Sequence, residues 1–147
     1  TRLMIENPHA LANNMTSTSD LADYFLRACE DAAIAAAKWR GKGERKKADG
    51  AAVEAMRAVF DSVPFDGRVA IGEGERDDAP MLYIGEPLGC LQGVAGAPQI
   101  DIAVDPLECT NNCATDSPNA IAVLAAAPRS LAVLAAISSM SSDFSGH

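Results

Sequence analysis

The 147-residue chain has a formal net charge of −8, with 48% hydrophobic and only 5% aromatic residues. At this length we expect one domain with its own core, and the Ala-, Val-, Leu- and Ile-rich composition favours an α/β architecture and excludes wholesale disorder. The negative charge argues against nucleic acid and anionic membranes as partners, because both repel an acidic surface. An anionic ligand would need metal ions or local cations at its site.

The first half of the chain predicts two helices. Residues 1–16 show no sustained periodicity and are predicted to be a flexible leader, as residues 138–147 are predicted to be a frayed tail. Apolar residues at helical spacing from Leu21 to Trp39 predict the first helix. A basic loop then leads to a second helical pattern that begins at Asp49 and is ended by Pro64.

The second half predicts strands. Short apolar runs at Arg68–Ile71 and Ile100–Val104 are typical of buried strands, and Pro106 should forbid continuation of the second one. The segments 120–127 and 131–137 share the string AVLAA and are most simply explained as a hairpin or strand pair.

The cysteines and the apolar stretches indicate the cellular compartment and whether the chain spans a membrane. Four cysteines in a chain that begins with no basic and apolar leader favour a cytoplasmic, reduced compartment. The longest apolar stretch, Ala120 to Ile137, is interrupted by Pro128, so no transmembrane helix is expected. Cys109 and Cys113 form a C-x₃-C pair, but a zinc site would need two more ligands at suitable spacing.

Acidic residues follow the first predicted strand in the string IGEGERDDAPMLYIGE. Glu73 and Glu75 stand two positions apart, so both carboxylates would point the same way if extended geometry persists. Like charges side by side repel unless a cation or proton sits between them, which favours metal binding. Asp77 and Asp78 add oxygen ligands nearby.

A second acidic motif, DIAVDPLECT, ends the next predicted strand. Asp105 would be held rigidly at the strand end, with Glu108 and Thr110 on the following turn, where ligands of open α/β sheets collect. Carboxylates without a clustered His or Cys set select Mg²⁺ or Mn²⁺ over Zn²⁺. Such ions acidify bound water and neutralise phosphoryl oxygens, so metal-assisted phosphate ester hydrolysis follows.

The alternative is that these acidic residues are ordinary surface groups, as single carboxylates usually are. Asp49, for example, could merely cap the second helix. The two strand-end motifs together favour the site.

These motifs, together with ADGAAVEAMR at 48–57 and PNAIAVLA at 118–125, resemble the class II fructose-1,6-bisphosphatases, some of which also accept sedoheptulose-1,7-bisphosphate. Asp-Pro-Leu-Glu-x-Thr is similar to the signature of the wider lithium-sensitive phosphatase superfamily. The resemblance runs from about Leu21 to Ala127. It implies a layered α/β sugar-phosphatase fold, of which residues 17–137 would be the N-terminal metal-binding part, with two helices packed on a mixed sheet.

The resemblance also implies an activity and roles for individual residues. The activity is hydrolysis of the 1-phosphate of a sugar-bisphosphate substrate in gluconeogenesis or the Calvin cycle, by an enzyme that is a homo-oligomer at full length. By the resemblance, the ligands of Mg²⁺ or Mn²⁺ are Asp49, Glu73, Asp105 and Glu108, with the Leu107 carbonyl as a further ligand. Thr110 would orient the attacking water and Asp77 would assist its activation. The residues that meet the substrate would be Glu108, Cys109, Thr110 and Arg45.

The chain also departs from the family pattern. Cys109 stands where the family normally has a glycine, and if that backbone has positive φ the cysteine is strained by about 1 kcal/mol. Asp116 and Ser117 replace a Gly-Gln pair, and Arg45 replaces a lysine. Family members are much longer, and the region implied to bind the sugar and to supply another acidic ligand is absent.

Two alternatives follow from these departures. The chain could be a non-catalytic, truncated product that binds metal or a partner through an exposed sheet edge. A phosphatase for another substrate, such as an inositol phosphate, is disfavoured by the long motif at 71–86.

Overall fold

The computed structural model of the chain describes residues 18–75 and 79–129. The predicted leader 1–16, the tail 138–147 and the second AVLAA segment, 131–137, lie outside the described residues.

Two helices pack together on one side of the molecule. Helix α1 is Thr18–Ala37 and helix α2 is Arg45–Phe60, so both predicted helices are confirmed, although α2 begins before Asp49. Buried alanines at four-residue spacing, Ala28, Ala32 and Ala36, form the inner face of α1. Such spacing places them on one stripe, and their small size allows close approach of α2.

The strands form one mixed four-stranded sheet, in the order β2-β1-β3-β4. Their bounds are β1 Asp66–Ile71, β2 Pro87–Leu88, β3 Gln99–Glu108 and β4 Ile121–Pro128. The central pair, β1 and β3, is parallel, while β2 and β4 pair antiparallel on either side. The predicted α/β architecture, with two helices on a mixed sheet, is confirmed.

The core lies between the helices and the sheet. Phe60 and Phe65 are fully buried, and the Phe25 ring meets the Phe65 ring edge-on at a centroid distance of 5.8 Å. Ile102 of β3 and Val69 of β1 face the same core. Burying each such side chain contributes about 1.5–3 kcal/mol, which fixes the sheet against the helices.

The prediction that Pro106 ends the second strand is wrong. Strand β3 continues through Pro106 to Glu108. The pairing with β4 becomes irregular between Asp105 and Glu108, so the proline lies where no ladder N–H is required. The N–H of Leu107 donates to Asp105 Oδ1 instead, at 3.1 Å.

No helix within the described residues is long and apolar enough to cross a membrane.

Candidate active site

A pocket of about 460 Å³ opens where β1 and β3 end. Because these two strands are parallel, their carboxyl ends meet at one edge of the sheet, the usual location of a ligand in such sheets. Its lining includes all five predicted metal-ligand residues, Asp49, Glu73, Asp105, Leu107 and Glu108, together with Cys109 and Thr110. The fold therefore brings together groups that lie up to 61 positions apart in the sequence (110 − 49).

Asp49 reaches this pocket from inside helix α2. The N-cap of α2 is Glu44, which makes no side-chain capping hydrogen bond. The interpretation of Asp49 as a helix cap is therefore wrong, and its carboxylate lines the pocket instead. Burial raises the pKa of Asp49 above its ordinary value.

Glu73 stands two residues beyond the end of β1. Burial, then the charges of Asp49 and Asp105, raise the pKa of Glu73 to about 7. This carboxyl group is thus about half protonated at pH 7 unless a cation offsets the repulsion. The three acidic groups are close enough to oppose one another's ionisation.

Glu75 does not join Glu73 in the pocket. The extended geometry that would align them stops at Ile71, and Gly74 has a φ of 130°. Glu75 is exposed and absent from the pocket lining. The condition for the predicted alignment, continued extended geometry, is therefore not met, because the chain turns immediately after the strand.

Asp105 and Glu108 interact at the end of β3. Burial, then a hydrogen bond to Glu108, raise the pKa of Asp105, whereas accepting that bond lowers the pKa of Glu108. The N–H of Cys109 also donates to Glu108 Oε1, at 3.2 Å. Hydrogen bonding to Glu108, the largest cause, raises the pKa of the exposed Cys109 thiol. The interaction between these two groups thus raises one pKa and lowers the other.

Cys109 has a left-handed backbone, with φ 61° and ψ 52°. It is the N-cap of the short helix α3, Thr110–Ala114. The conditional prediction of positive φ at this glycine-type position is confirmed, and the expected strain follows from it. Thr110, the first residue of α3, is half-buried at the pocket wall.

Arg45, another predicted site residue, is not part of the described pocket lining. Arg45 begins α2, and its guanidinium donates to Asn111 Oδ1 at 3.0 Å, beside α3 rather than in the pocket lining. Asp77 lies outside the described residues.

The donors of the pocket suit a hard cation, although they are not assembled around one. Four carboxylates and the Leu107 residue supply oxygen, the atom type that Mg²⁺ and Mn²⁺ prefer. In the described part of the chain, however, no group of three or more His, Cys, Asp or Glu side chains is placed to hold a metal ion. The chemistry fits, and the side chains would have to converge on the ion.

The C-x₃-C pair does not converge on a metal either. Cys109 is exposed, while Cys113 is buried with its thiol 3.5 Å from the Ala36 carbonyl oxygen. Both thiols are free. Cys113 therefore acts as a packing residue between α3 and α1.

Sequence reasoning missed two residues that support the pocket. Glu86 is buried, and Arg57 Nε lies 2.6 Å from its Oε1. The second carboxylate oxygen of Glu86 accepts the N–H of Leu82, in the loop that follows Glu73. The only local signal is an acidic residue next to a strand, which does not reveal a partner 29 positions away.

The fold and the pocket define an α/β protein with a carboxylate-rich, all-oxygen site at the ends of parallel strands. Sequence comparison supplies the family. Residues 19–141 match the family described as "Bacterial fructose-1,6-bisphosphatase, glpX-encoded", and the chain belongs to this family.

Curated relatives agree with this assignment. The chain is 53% identical over 106 residues to "Fructose-1,6-bisphosphatase 1 class 2" of Escherichia coli (strain K12), a match that covers 72% of the chain and 30% of the relative. It is 52% identical over 109 residues to "D-fructose 1,6-bisphosphatase class 2/sedoheptulose 1,7-bisphosphatase" of Parasynechococcus marenigrum (strain WH8102), covering 74% and 31%. The chain thus spans about 30% of the length of these relatives.

Proposed function

We propose that this chain carries the N-terminal part of the active site of a divalent-metal-dependent phosphatase that hydrolyses the 1-phosphate of fructose 1,6-bisphosphate. The main support for the proposal is that Glu73, Asp49 and Asp105 lie in one strand-end pocket, where burial and then the charges of the two aspartates raise the Glu73 pKa to about 7. Structural carboxylates are usually paired with cations or dispersed on the surface. Carboxylates gathered without a basic partner are typical of a cation site.

In this proposal Asp49, Glu73, Asp105 and Glu108 hold Mg²⁺ or Mn²⁺, with the Leu107 carbonyl as a further ligand. A bound divalent ion lowers the pKa of coordinated water and withdraws charge from phosphoryl oxygens. The side chains contribute placement, because Asp49 lies on a helix and Asp105 and Glu108 lie at the end of a strand.

The remaining roles fall to the turn after β3 and to two further residues. The Thr110 hydroxyl orients the attacking water, and the backbone from Glu108 to Thr110 meets the phosphate group. The Asp77 carboxylate is proposed to assist removal of a proton from the attacking water. Arg45 supplies positive charge beside α3 for an anionic substrate.

The choice of substrate rests on the relatives. The names of the Escherichia coli and cyanobacterial proteins both include fructose-1,6-bisphosphatase, and the latter also includes sedoheptulose 1,7-bisphosphatase. We therefore propose fructose 1,6-bisphosphate as the substrate, with sedoheptulose 1,7-bisphosphate as the second. Participation in gluconeogenesis or the Calvin cycle, a cytoplasmic location, homo-oligomerisation at full length and independence of nucleic acid and membranes stay predictions.

A second candidate function is metal binding without catalysis. In this candidate the chain binds metal or a partner through an exposed sheet edge. Within the described residues, β4 is paired on one edge only and exposes Ile121 and Val123. Such an edge suits association with another polypeptide.

The two candidates differ in phosphate release. We would measure phosphate liberated from fructose 1,6-bisphosphate in Mn²⁺ or Mg²⁺, and Mn²⁺ binding by calorimetry, for the wild-type chain, Glu73→Gln and Asp105→Asn. Glu54→Gln, which changes an exposed carboxylate on α2 away from the pocket, is the matched control. Catalysis predicts metal-dependent release that Asp105→Asn abolishes and Glu54→Gln retains.

Each outcome separates the candidates. Mn²⁺ binding weakened about 10-fold or more by Glu73→Gln, without phosphate release, would support the metal-binding fragment. Absence of Mn²⁺ binding by the wild-type chain would overturn both.

A further inference from the structure

Glu73 is held by a loop that folds back on the end of β1. The N–H of Glu73 donates to the Leu82 carbonyl at 3.0 Å. Leu82 is fully buried. A Cβ on Gly72 would overlap this same carbonyl oxygen, so the chain entering Glu73 lies directly against Leu82. The position of the Glu73 backbone therefore depends on where the Leu82 carbonyl points.

Leu82 holds that carbonyl in an unfavourable backbone conformation. Its φ is 55°, in the left-handed region that is common for glycine, tolerated by asparagine and aspartate, and rare for other residues. Such a conformation persists only where surrounding contacts over-determine it. At Leu82 one contact is the buried side chain, and another is the hydrogen bond from its own N–H to the Glu86 carboxylate.

Glu86 is in turn fixed by helix α2. Its side chain has one oxygen on the Leu82 N–H and the other 2.6 Å from Arg57 Nε. The Arg57 guanidinium also donates to Oδ1 of Asp61, the C-cap of the same helix, at 2.5 Å. Both ends of the Arg57 guanidinium are thus occupied, and the Glu86 carboxylate is held between a helix and the loop.

Helix α2 therefore reaches the pocket by two routes. It carries Asp49, which lines the pocket directly. Eight residues later, about 12 Å along the helix axis, it carries Arg57, which contacts the loop through Glu86. We propose that Arg57 and Glu86 are positioning residues that place Glu73 in the pocket by holding Leu82 in its left-handed conformation. The consequence for metal affinity rests on the function proposed above, whereas the placement of Glu73 does not.

A merely stabilising ion pair would behave differently, and the chain offers one for comparison. Asp101 is buried on β3, and its Oδ1 accepts a hydrogen bond from Arg68 Nε at 2.7 Å. Its charged partners are Arg68 and Arg129, both outside the loop of residues 72–86. Asp101→Asn should therefore weaken folding without disturbing Glu73.

The test compares Glu86→Gln, Arg57→Lys and Asp101→Asn in three measurements: the urea midpoint, hydrogen exchange of the Glu73 and Leu82 amides by NMR, and Mn²⁺ binding by calorimetry. We expect all three variants to lower the urea midpoint. Glu86→Gln should also speed exchange at both amides about 10-fold more than the loss of global stability explains, and weaken Mn²⁺ binding about 10-fold. Arg57→Lys, which keeps the charge but not the two-armed geometry, should lie between Glu86→Gln and wild type.

Asp101→Asn should leave amide protection and Mn²⁺ binding, corrected for global stability, at wild-type values. The proposal is overturned if Glu86→Gln and Arg57→Lys match Asp101→Asn in both corrected readouts. If the wild-type chain binds no Mn²⁺, the proposed function fails, while exchange at the Glu73 amide still decides the positioning role. Should Glu86→Gln not fold, Arg57→Lys carries the same comparison.

Discussion

Cys109 and Asp116 flank helix α3, and both hold a left-handed backbone, with φ values of 61° and 58°. The class II pattern that the sequence resembles has glycine at both positions. A side chain at either position forces Cβ close to backbone atoms that glycine would leave clear. The turn beside the candidate site is therefore strained at Cys109 and less so at Asp116, because aspartate tolerates the left-handed region better than cysteine does.

Replacing Cys109 by glycine should stabilise the chain. We expect Cys109→Gly to raise the free energy of unfolding by about 0.5–1 kcal/mol, because relief of the left-handed strain exceeds the added flexibility of the unfolded chain. Urea titration measures this. Cys109→Ala removes the thiol but keeps Cβ, and should give no such gain; equal gains from both variants would contradict the backbone explanation.

At Asp116 two effects oppose each other. The Asp116 carboxylate pairs with Arg40, but both side chains are largely exposed, so the pair contributes less than about 1 kcal/mol. Asp116→Gly loses the pair and relieves the backbone, and should change the free energy of unfolding by less than about 0.5 kcal/mol in either direction.

Asp116→Ala is the informative partner of that variant. It loses the pair without relieving the backbone, so it should be less stable than Asp116→Gly by about 0.5–1 kcal/mol in thermal or urea unfolding. Identical stabilities would show that the left-handed conformation at Asp116 is not strained.

Local patterns predicted what local physics determines. The helical spacing of apolar residues from Leu21 to Trp39 predicted the first helix, and the apolar run ending in Val104 predicted a strand. Asp49 was harder, because an acidic residue near a helix start is equally typical of a cap. In the structure α2 begins at Arg45, so Asp49 lies inside the helix and not at its start.

The rest depended on contacts between distant residues. Strand β3 can continue past Pro106 only because its pairing with β4 is irregular there. The sequence DIAVDPLECT by itself does not predict this irregularity. The support of Glu73 by Leu82, Glu86 and Arg57 joins groups up to 29 positions apart through side chains that carry no periodic signal. Tertiary geometry thus explains both what was wrong and what was missed.

The raised pKa of Glu73 predicts a pH-dependent stability. The folded-state pKa, about 7, exceeds the ordinary value of 4.5, so the folded chain holds this proton more tightly than the unfolded chain. Stability from this group is fully present below about pH 4.5 and is lost as the pH rises through about 7. Glu73→Gln, which mimics the protonated form, should match wild type near pH 4.5 and exceed it by about 1 kcal/mol at pH 8, a modest value because the half-buried group is screened by water.

Urea midpoints at pH 4.5 and pH 8 measure this difference, and Mn²⁺ supplies the contrasting condition. A bound cation would remove the repulsion and stabilise the wild-type chain, so excess Mn²⁺ at pH 8 should abolish or reverse the advantage of Glu73→Gln. A Glu73→Gln advantage that is the same at both pH values would contradict a titration effect.

The close approach at Gly72 predicts opposite outcomes for two glycine-to-alanine substitutions. A Cβ on Gly72 would overlap the Leu82 carbonyl oxygen and lie 2.6 Å from Val69 Cγ1, whereas a Cβ on Gly50 would meet nothing within 4 Å apart from its neighbouring residues and the backbone of its own helix. Gly72→Ala should therefore destabilise the chain by about 1–3 kcal/mol or more, since backbone must shift. Gly50→Ala should stabilise it by up to about 1 kcal/mol, from the higher helix propensity of alanine. Urea unfolding of the two variants decides it: if Gly72→Ala is tolerated as well as Gly50→Ala, the loop that carries Glu73 does not pack against Leu82 as tightly as the structure has it.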